Sequence, residues 1–174
     1  MPVFVALIGA VNVGGTAKLS MEDLREIAKG LGYNDVSTYI QSGNLIFSSD
    51  DQPAFIIGCL SEELERKLGS PTRVFVRRAD EMRAIADNNP FAGMPADQVL
   101  VSFFSAAPGD TALHGFVAPD GEEAVVRGRE IYVHYPLGSG RSKIKLPSLR
   151  SGTSRNINTV TKLADMATKL ENNA

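Results

Sequence analysis

Val36-Ser37-Thr38-Tyr39-Ile40-Gln41-Ser42-Gly43-Asn44-Leu45-Ile46-Phe47-Ser48 is the stretch on which the fold turns. Val36 to Ile40 and Leu45 to Ser48 are β-rich runs, and Gln41-Ser42-Gly43-Asn44 between them has the composition of a hairpin turn. The flanks are helical. On the N-terminal side Ser20, with Asp23 three residues on, forms a variant of the capping box, and Met21, Leu24, Ile27, Ala28 and Leu31 recur at helical spacing. Gly30 and Gly32 end that helix, and Val3 to Ile8 before it reads as a buried strand. On the C-terminal side Asp51 and Pro53 open a second helix, with an apolar stripe of Phe55, Ile56, Cys59, Leu60, Leu64 and Leu68 and Gly69 as its cap. Thr72 to Arg77 completes the order βαββαβ. That order is the split βαβ of ferredoxin-like folds, with an antiparallel or mixed sheet and both helices on one face.

The second half repeats the pattern incompletely. A short helix, Ala79 to Asp87, ends at Asn88-Asn89-Pro90, and a strand from Gln98 to Phe104 follows. A turn or short helix holds Asp110 to His114, then two strands flank a Gly-Arg turn, Glu123 to Val126 and Glu130 to Tyr135. Asn158 to Leu170 is the last helix. The expected class is α+β: a ferredoxin-like βαββαβ subdomain over 1–78, then a related βαββα subdomain over 79–174 with its closing strand absent. The latter contains a basic loop, 137–157, and the C-terminal helix. No residue-level repeat accompanies the similarity.

Composition sets outer bounds. With 43% hydrophobic and 22% charged residues, 174 residues can bury a core. No apolar run approaches the ~20 residues that span a bilayer, so no membrane partner is expected. The N-terminus lacks a basic region before its apolar run, and one cysteine, Cys59, excludes an internal disulfide, so the cytoplasm is the expected compartment. Apolar neighbours suggest that Cys59 is a buried filler. Charge is uneven within the net −2: Leu137 to Leu163 holds Arg141, Lys143, Lys145, Arg150, Arg155 and Lys162 and no acid. Such a segment suits anions.

Three segments carry groups that could bind. Gly9-Ala10-Val11-Asn12-Val13-Gly14-Gly15-Thr16 is a near miss of the phosphate-cradling loop, with Gly15 where the lysine belongs. That absence, and the expected antiparallel sheet, argue against nucleotide hydrolysis. Gly14 and Gly15 still permit close approach of a ligand or a backbone, and Lys18 is near in sequence. Gln41, Ser42 and Asn44 place hydrogen-bonding groups at the hairpin turn, where ordinary turn chemistry is the alternative account. Gly138 to Lys143, with Thr153, Ser154, Arg155 and Asn156, combines glycines, hydroxyls and guanidinium groups, which are the parts of an anion site. Equally, Thr153 or Ser154 could cap the last helix, and the segment could be a solvated loop.

Catalytic residues are not identifiable. His114 and His134 are the only histidines, and His134 lies on the strand face opposite Ile131, Val133 and Tyr135. No Cys or His cluster has metal-ligand spacing, so neither a metal nor a cofactor can be named. Ser139 and Ser142 lack a nucleophile-elbow context.

Asn12-Val13-Gly14-Gly15, Lys18, Met21, Leu24, Gly32-Tyr33, Val36, Thr38-Tyr39 and Gln41 through Phe47 resemble the bacterial domain-of-unknown-function family numbered 1697. Asn89-Pro90-Phe91, Thr153, Arg155-Asn156, Thr159-Val160 and Lys162-Leu163 extend the likeness over nearly the whole chain. The resemblance implies a cytoplasmic bacterial protein with a two-subdomain α+β fold, and no reaction. Two departures stand out: Gly9-Ala10-Val11 replaces the family's usual Arg-Gly-Ile, and Ile157 replaces its usual Trp. Any site inherited through that arginine would be altered here.

The expectation is an anion site for a small phosphorylated or carboxylated ligand, in the cleft between the subdomains. Gly14 and Gly15 would present backbone N–H groups, Asn12, Gln41 and Asn44 would orient, and Arg141, Lys143 and Arg155 would neutralise. Two other classes stay open. Nucleic acid could bind the sheet or the basic loop, though Tyr39, Phe47 and Phe75 are the only candidate stacking aromatics and both phenylalanines suit a core. An assembly module pairing strand edges is the third, and oligomeric state is open.

Overall fold

The computed structural model describes residues 1–9 and 19–173. Among these the chain is α+β, with two four-stranded antiparallel sheets and four α-helices. It divides into two compact units, Met1–Ala84 with Lys162–Ala174, and Ile85–Thr161. The sequence reading placed a single cut at 78. The division by contacts falls inside two helices, Ala79–Asp87 and Ile157–Asn172.

In the first unit β1 (Val3–Ile8) pairs with β3 (Asn44–Ser48) on one side and β4 (Val74–Arg78) on the other, and β2 (Asn34–Thr38) lies outside β3. Every pairing is antiparallel, so β1 and β2 run the same way with β3 inserted between them. Helices α1 (Met21–Gly30) and α2 (Pro53–Leu68) supply Leu24, Ala28, Ile56, Leu60 and Leu64 to a core with Phe4, Ala6, Ile8, Leu45 and Phe47. Both helix ends follow from sequence. Ser20 Oγ accepts from the Asp23 amide at 3.0 Å, and Gly69 closes α2 at φ 79°.

Two readings of α2 need correction. Phe55 is 61% exposed and Cys59 is half-buried, not a core filler. Ile56, Leu60 and Leu64 form the i, i+4, i+8 row that meets the sheet, and their preceding neighbours are rotated about 100° away from it. The hairpin is also displaced: β2 ends at Thr38, so Tyr39 and Ile40 belong to the turn, which the Tyr39 amide closes on the Asn44 carbonyl at 3.1 Å.

After α3 (Ala79–Asp87), the second unit has β5 (Val99–Phe103) between β7 (Glu130–His134) and β8 (Thr153–Asn156), with β6 (Glu123–Arg127) outside β7. The expected missing strand is present as β8. It was illegible because the strand Thr-Ser-Arg-Asn is polar throughout. Its buried members, Thr153 and Arg155, alternate as a strand requires without being apolar. Helix α4 (Ile157–Asn172) follows directly.

One face of the second sheet packs Leu100, Ala124, Ile131 and Val133 against the connecting segments, through Phe104, Ala112, Phe116, Ile144, Leu146 and Leu149. The basic stretch is thus seated on the sheet by its apolar residues. Val117 and Lys145 exchange both backbone hydrogen bonds across it, at 2.8 and 2.9 Å. It is no free loop.

Candidate functional site

In the first unit the hairpin turn and the end of β1 meet. The Ile8 amide donates to the Gly43 carbonyl at 2.9 Å, and the Gly9 amide donates to the Arg73 carbonyl at 2.8 Å. The end of β1 therefore lies beside the Gln41–Asn44 turn. Asn12, Gly14, Gly15 and Lys18 lie outside the described residues. Asn44 is fully buried, and its Nδ2 donates to Ser42 Oγ at 2.8 Å and to the Tyr39 carbonyl at 3.1 Å. It holds the turn shut, and the Ser42 hydroxyl is engaged as its acceptor. Gln41 is exposed at the tip. Positive φ angles at Ile40 (53°) and Gly43 (79°) shape the turn, and only the glycine is suited to one.

The second unit holds the cationic candidates in two different settings. Arg141 and Lys143 are exposed, on and after a 3-10 turn at Ser139–Arg141 that follows Gly138 at φ 83°. Neither they nor the exposed Lys145 form an ion pair among the described residues. Between them Ser142 Oγ donates to Glu122 Oε1 at 2.8 Å. Burial works against that carboxylate, but hydrogen bonds from its own backbone amide, the Ser142 hydroxyl and the Asp120 amide outweigh it and hold the group below its usual pKa.

Arg155 is different. It is 7% exposed, opposite Val101 in the β5–β8 ladder, and its guanidinium donates to Thr153 Oγ1 at 2.7 Å and to the Ser154 carbonyl at 3.0 Å. Desolvation pulls its pKa down to about 10, which still leaves it cationic at neutral pH. Asn156 accepts from the Asn158 amide at 2.7 Å, so it caps α4 in place of Thr153 or Ser154. Arg155 thus belongs to a packed face, while Arg141 and Lys143 meet solvent.

That packed face carries Glu130 and Tyr132, which the sequence reading did not single out, beside His134. Ladder register puts Thr153, Arg155, Val99, Val101, Phe103, Glu130, Tyr132 and His134 on one side of the sheet. Tyr132 donates to the Ile85 carbonyl at 2.7 Å, and burial above all, then the Glu130 charge, raises its pKa to about 12, against a lowering by Arg127. His134 Nε2 lies 3.1 Å from Gln98 Oε1, with its ring tilted on Phe91 at 5.7 Å. Strand alternation was the one available signal for this face. No group of three or more metal-ligating side chains occurs among the described residues, and no helix is long and apolar enough to cross a membrane.

Comparison with known proteins agrees with this framework. The model of the family described as protein of unknown function, DUF1697, matches residues 1–132, about three quarters of the chain. The chain belongs to this family. A solved structure, titled a conserved bacterial protein from Streptococcus pneumoniae, superposes with a TM-score of 0.77 at 22% identity, covering 95% of this chain and 98% of that one. Its likeness speaks for the fold. A search of curated proteins gave no match. The DUF1697 match ends inside β7, so the basic segment and β8 lie beyond it.

Proposed function

We propose that this protein binds a small anionic or phosphorylated ligand through the cationic segment of its second unit. One observation carries the reading. Arg141, Lys143 and Lys145 are exposed and make no ion pair among the described residues, on a segment seated by Ile144, Leu146 and Leu149. Cations held on packed backbone lose less freedom on binding than cations on a loose loop. The 3-10 turn at Ser139–Arg141 adds backbone N–H groups and the Ser139 hydroxyl beside them. Arg155 lies on the opposite face of the sheet, with Val101 and Tyr132, so it is not part of this cationic surface. In the first unit Asn12, Gly14, Gly15, Lys18, Gln41 and Ser42 are proposed as further ligand groups, on the ground that the Ile8–Gly43 hydrogen bond sets the end of β1 beside the hairpin turn.

The framework is read as ferredoxin-like in both units. Supporting this, β2-β3-β1-β4 and β6-β7-β5-β8 share one arrangement, with 3-10 turns standing where the second unit would need helices. We place the protein in the cytoplasm, since its lone cysteine leaves no internal disulfide to favour an oxidising compartment.

A thermal-shift panel of inorganic phosphate, sugar phosphates and nucleoside phosphates tests the function. At least one should raise the melting temperature of the native chain, and the R141A/K143A double variant should lose that shift while keeping its own melting temperature. No shift across the panel overturns the reading. Salt-sensitive retention on an oligonucleotide in that case would transfer it to nucleic acid. That alternative is disfavoured by the burial of Phe47 and Phe75, which leaves Tyr39 as the accessible aromatic of the three.

A further inference from the structure

We infer that the first unit carries a ligand site of its own, an open cavity fitted to a zwitterionic amino acid with an apolar side chain. The cavity measures about 330 Å³ and is lined by Asp35, Ser37, Ile46, Met166, Lys169, Leu170 and Asn173. That volume lies at the lower end of the ~300–1,000 Å³ typical of small-ligand sites. Edge strand β2 forms one wall and the last two turns of α4 form the other.

Its chemistry is divided. Met166 and Leu170 make an apolar surface over the buried Ile46, and Met side chains adapt readily to ligand shape. Asp35 brings a negative charge and Lys169 a positive one, and neither forms an ion pair among the described residues, with each other or elsewhere. Two opposite charges that line one cavity without meeting leave room for a ligand bearing both.

The backbone bears this out independently. Pairing of β2 with β3 runs Asn34↔Ser48 and then Ser37↔Ile46, so the register shifts at Asp35 and Val36. Asp35 itself stands at φ 54°. A bulge of this kind re-aims a side chain and releases ladder groups, and bulges are frequent beside binding sites. Here Ser48 Oγ donates to Asp35 Oδ2 at 2.9 Å and orients the carboxylate, leaving Oδ1 without a donor among the described residues. A ligand ammonium would take Asp35 Oδ1 and the Ser37 hydroxyl. A ligand carboxylate would take the Lys169 ammonium and the Asn173 amide, and its side chain would lie on Met166 and Leu170. Nucleotides fit badly, because Asp35 would face their phosphates.

Calorimetric titration of the full chain with L-leucine, L-isoleucine and L-methionine tests this. 3-Methylbutylamine and 4-methylpentanoate serve as analogues that lack one charge each. At least one amino acid should bind, and each analogue should bind at least about tenfold more weakly, since a charge-assisted hydrogen bond is lost. Asp35→Asn and Lys169→Gln alter exposed side chains, so circular dichroism should show intact folding, while each weakens the amino acid by a similar factor. The inference is overturned if no amino acid binds, if either analogue binds as well as its parent, or if both folded variants bind as the native chain does.

Discussion

Ile40 stands at φ 53° with half of its surface exposed, at the tip of the β2–β3 turn. A β-branched residue in the left-handed region costs roughly 1–2 kcal/mol, and little burial is recovered at this exposure. Ile40→Asn should therefore stabilise the chain by about 1 kcal/mol, read from urea unfolding; an unchanged midpoint would show the turn to be strain-free. Tyr132 gives a pH prediction. Its pKa is raised from about 10 to about 12, so the folded state keeps the phenol proton that the unfolded state gives up. Stability tied to this group is fully present below about pH 10 and declines through the interval to about 12, at about 1.4 kcal/mol per pH unit. Tyr132→Phe should remove that alkaline slope. It should also cost about 1 kcal/mol at neutral pH, through loss of the 2.7 Å hydrogen bond to Ile85. A slope unchanged in the variant would assign the alkaline loss to other phenols, such as the buried Tyr33, whose pKa is also raised.

Elements reveal which sequence signals suffice. The strand Val3–Ile8 and the helix Ala79–Asp87 were legible to their exact ends, and so were the Ser20 and Gly69 caps, because each rests on local chemistry. Ser20→Ala should accordingly cost about 1 kcal/mol by removing the acceptor for Asp23. Strand β8 is the opposite case, held by what lies beside it. Gly152, just before it, has no room for a side chain: a Cβ there would sit 2.6 Å from the Phe103 carbonyl and 2.9 Å from the Phe104 ring. Gly152→Ala should drive β8 away from β5 and cost about 1–3 kcal/mol. Amide exchange would then rise selectively in Thr153–Asn156; protection equal to the native chain would show that the ladder yields elsewhere. The edges of β2 were misread by two residues because the bulge at Asp35 has no apolar signature.

Across the molecule, charge is the property with functional reach. Six basic residues and no acid occupy 137–163, against a net charge of −2 for the whole chain. The three cations proposed to meet the ligand are exposed, so their attraction should be screened over about 10 Å at 0.1 M salt. Affinity for the best phosphorylated ligand of the panel should fall steadily as ionic strength rises, as measured by calorimetry in a salt series. The zwitterion cavity should be far less sensitive, because its ligand carries no net charge. Salt-independent phosphate binding would point to the buried Arg155 instead.

The sequence by itself determined the α+β class, the antiparallel β2–β3 hairpin of the first sheet and the concentration of positive charge near the C-terminus. These depend on periodicity, turn chemistry and counting, which are local or additive properties. Only the tertiary structure decided that Arg155 is buried while Arg141 and Lys143 are not, that a polar tetrapeptide forms β8, and that Asp35 and Lys169 line one cavity. Burial and pairing arise from residues far apart in the chain. A side chain's charge is written in its own letter, but whether water reaches it depends on what folds over it.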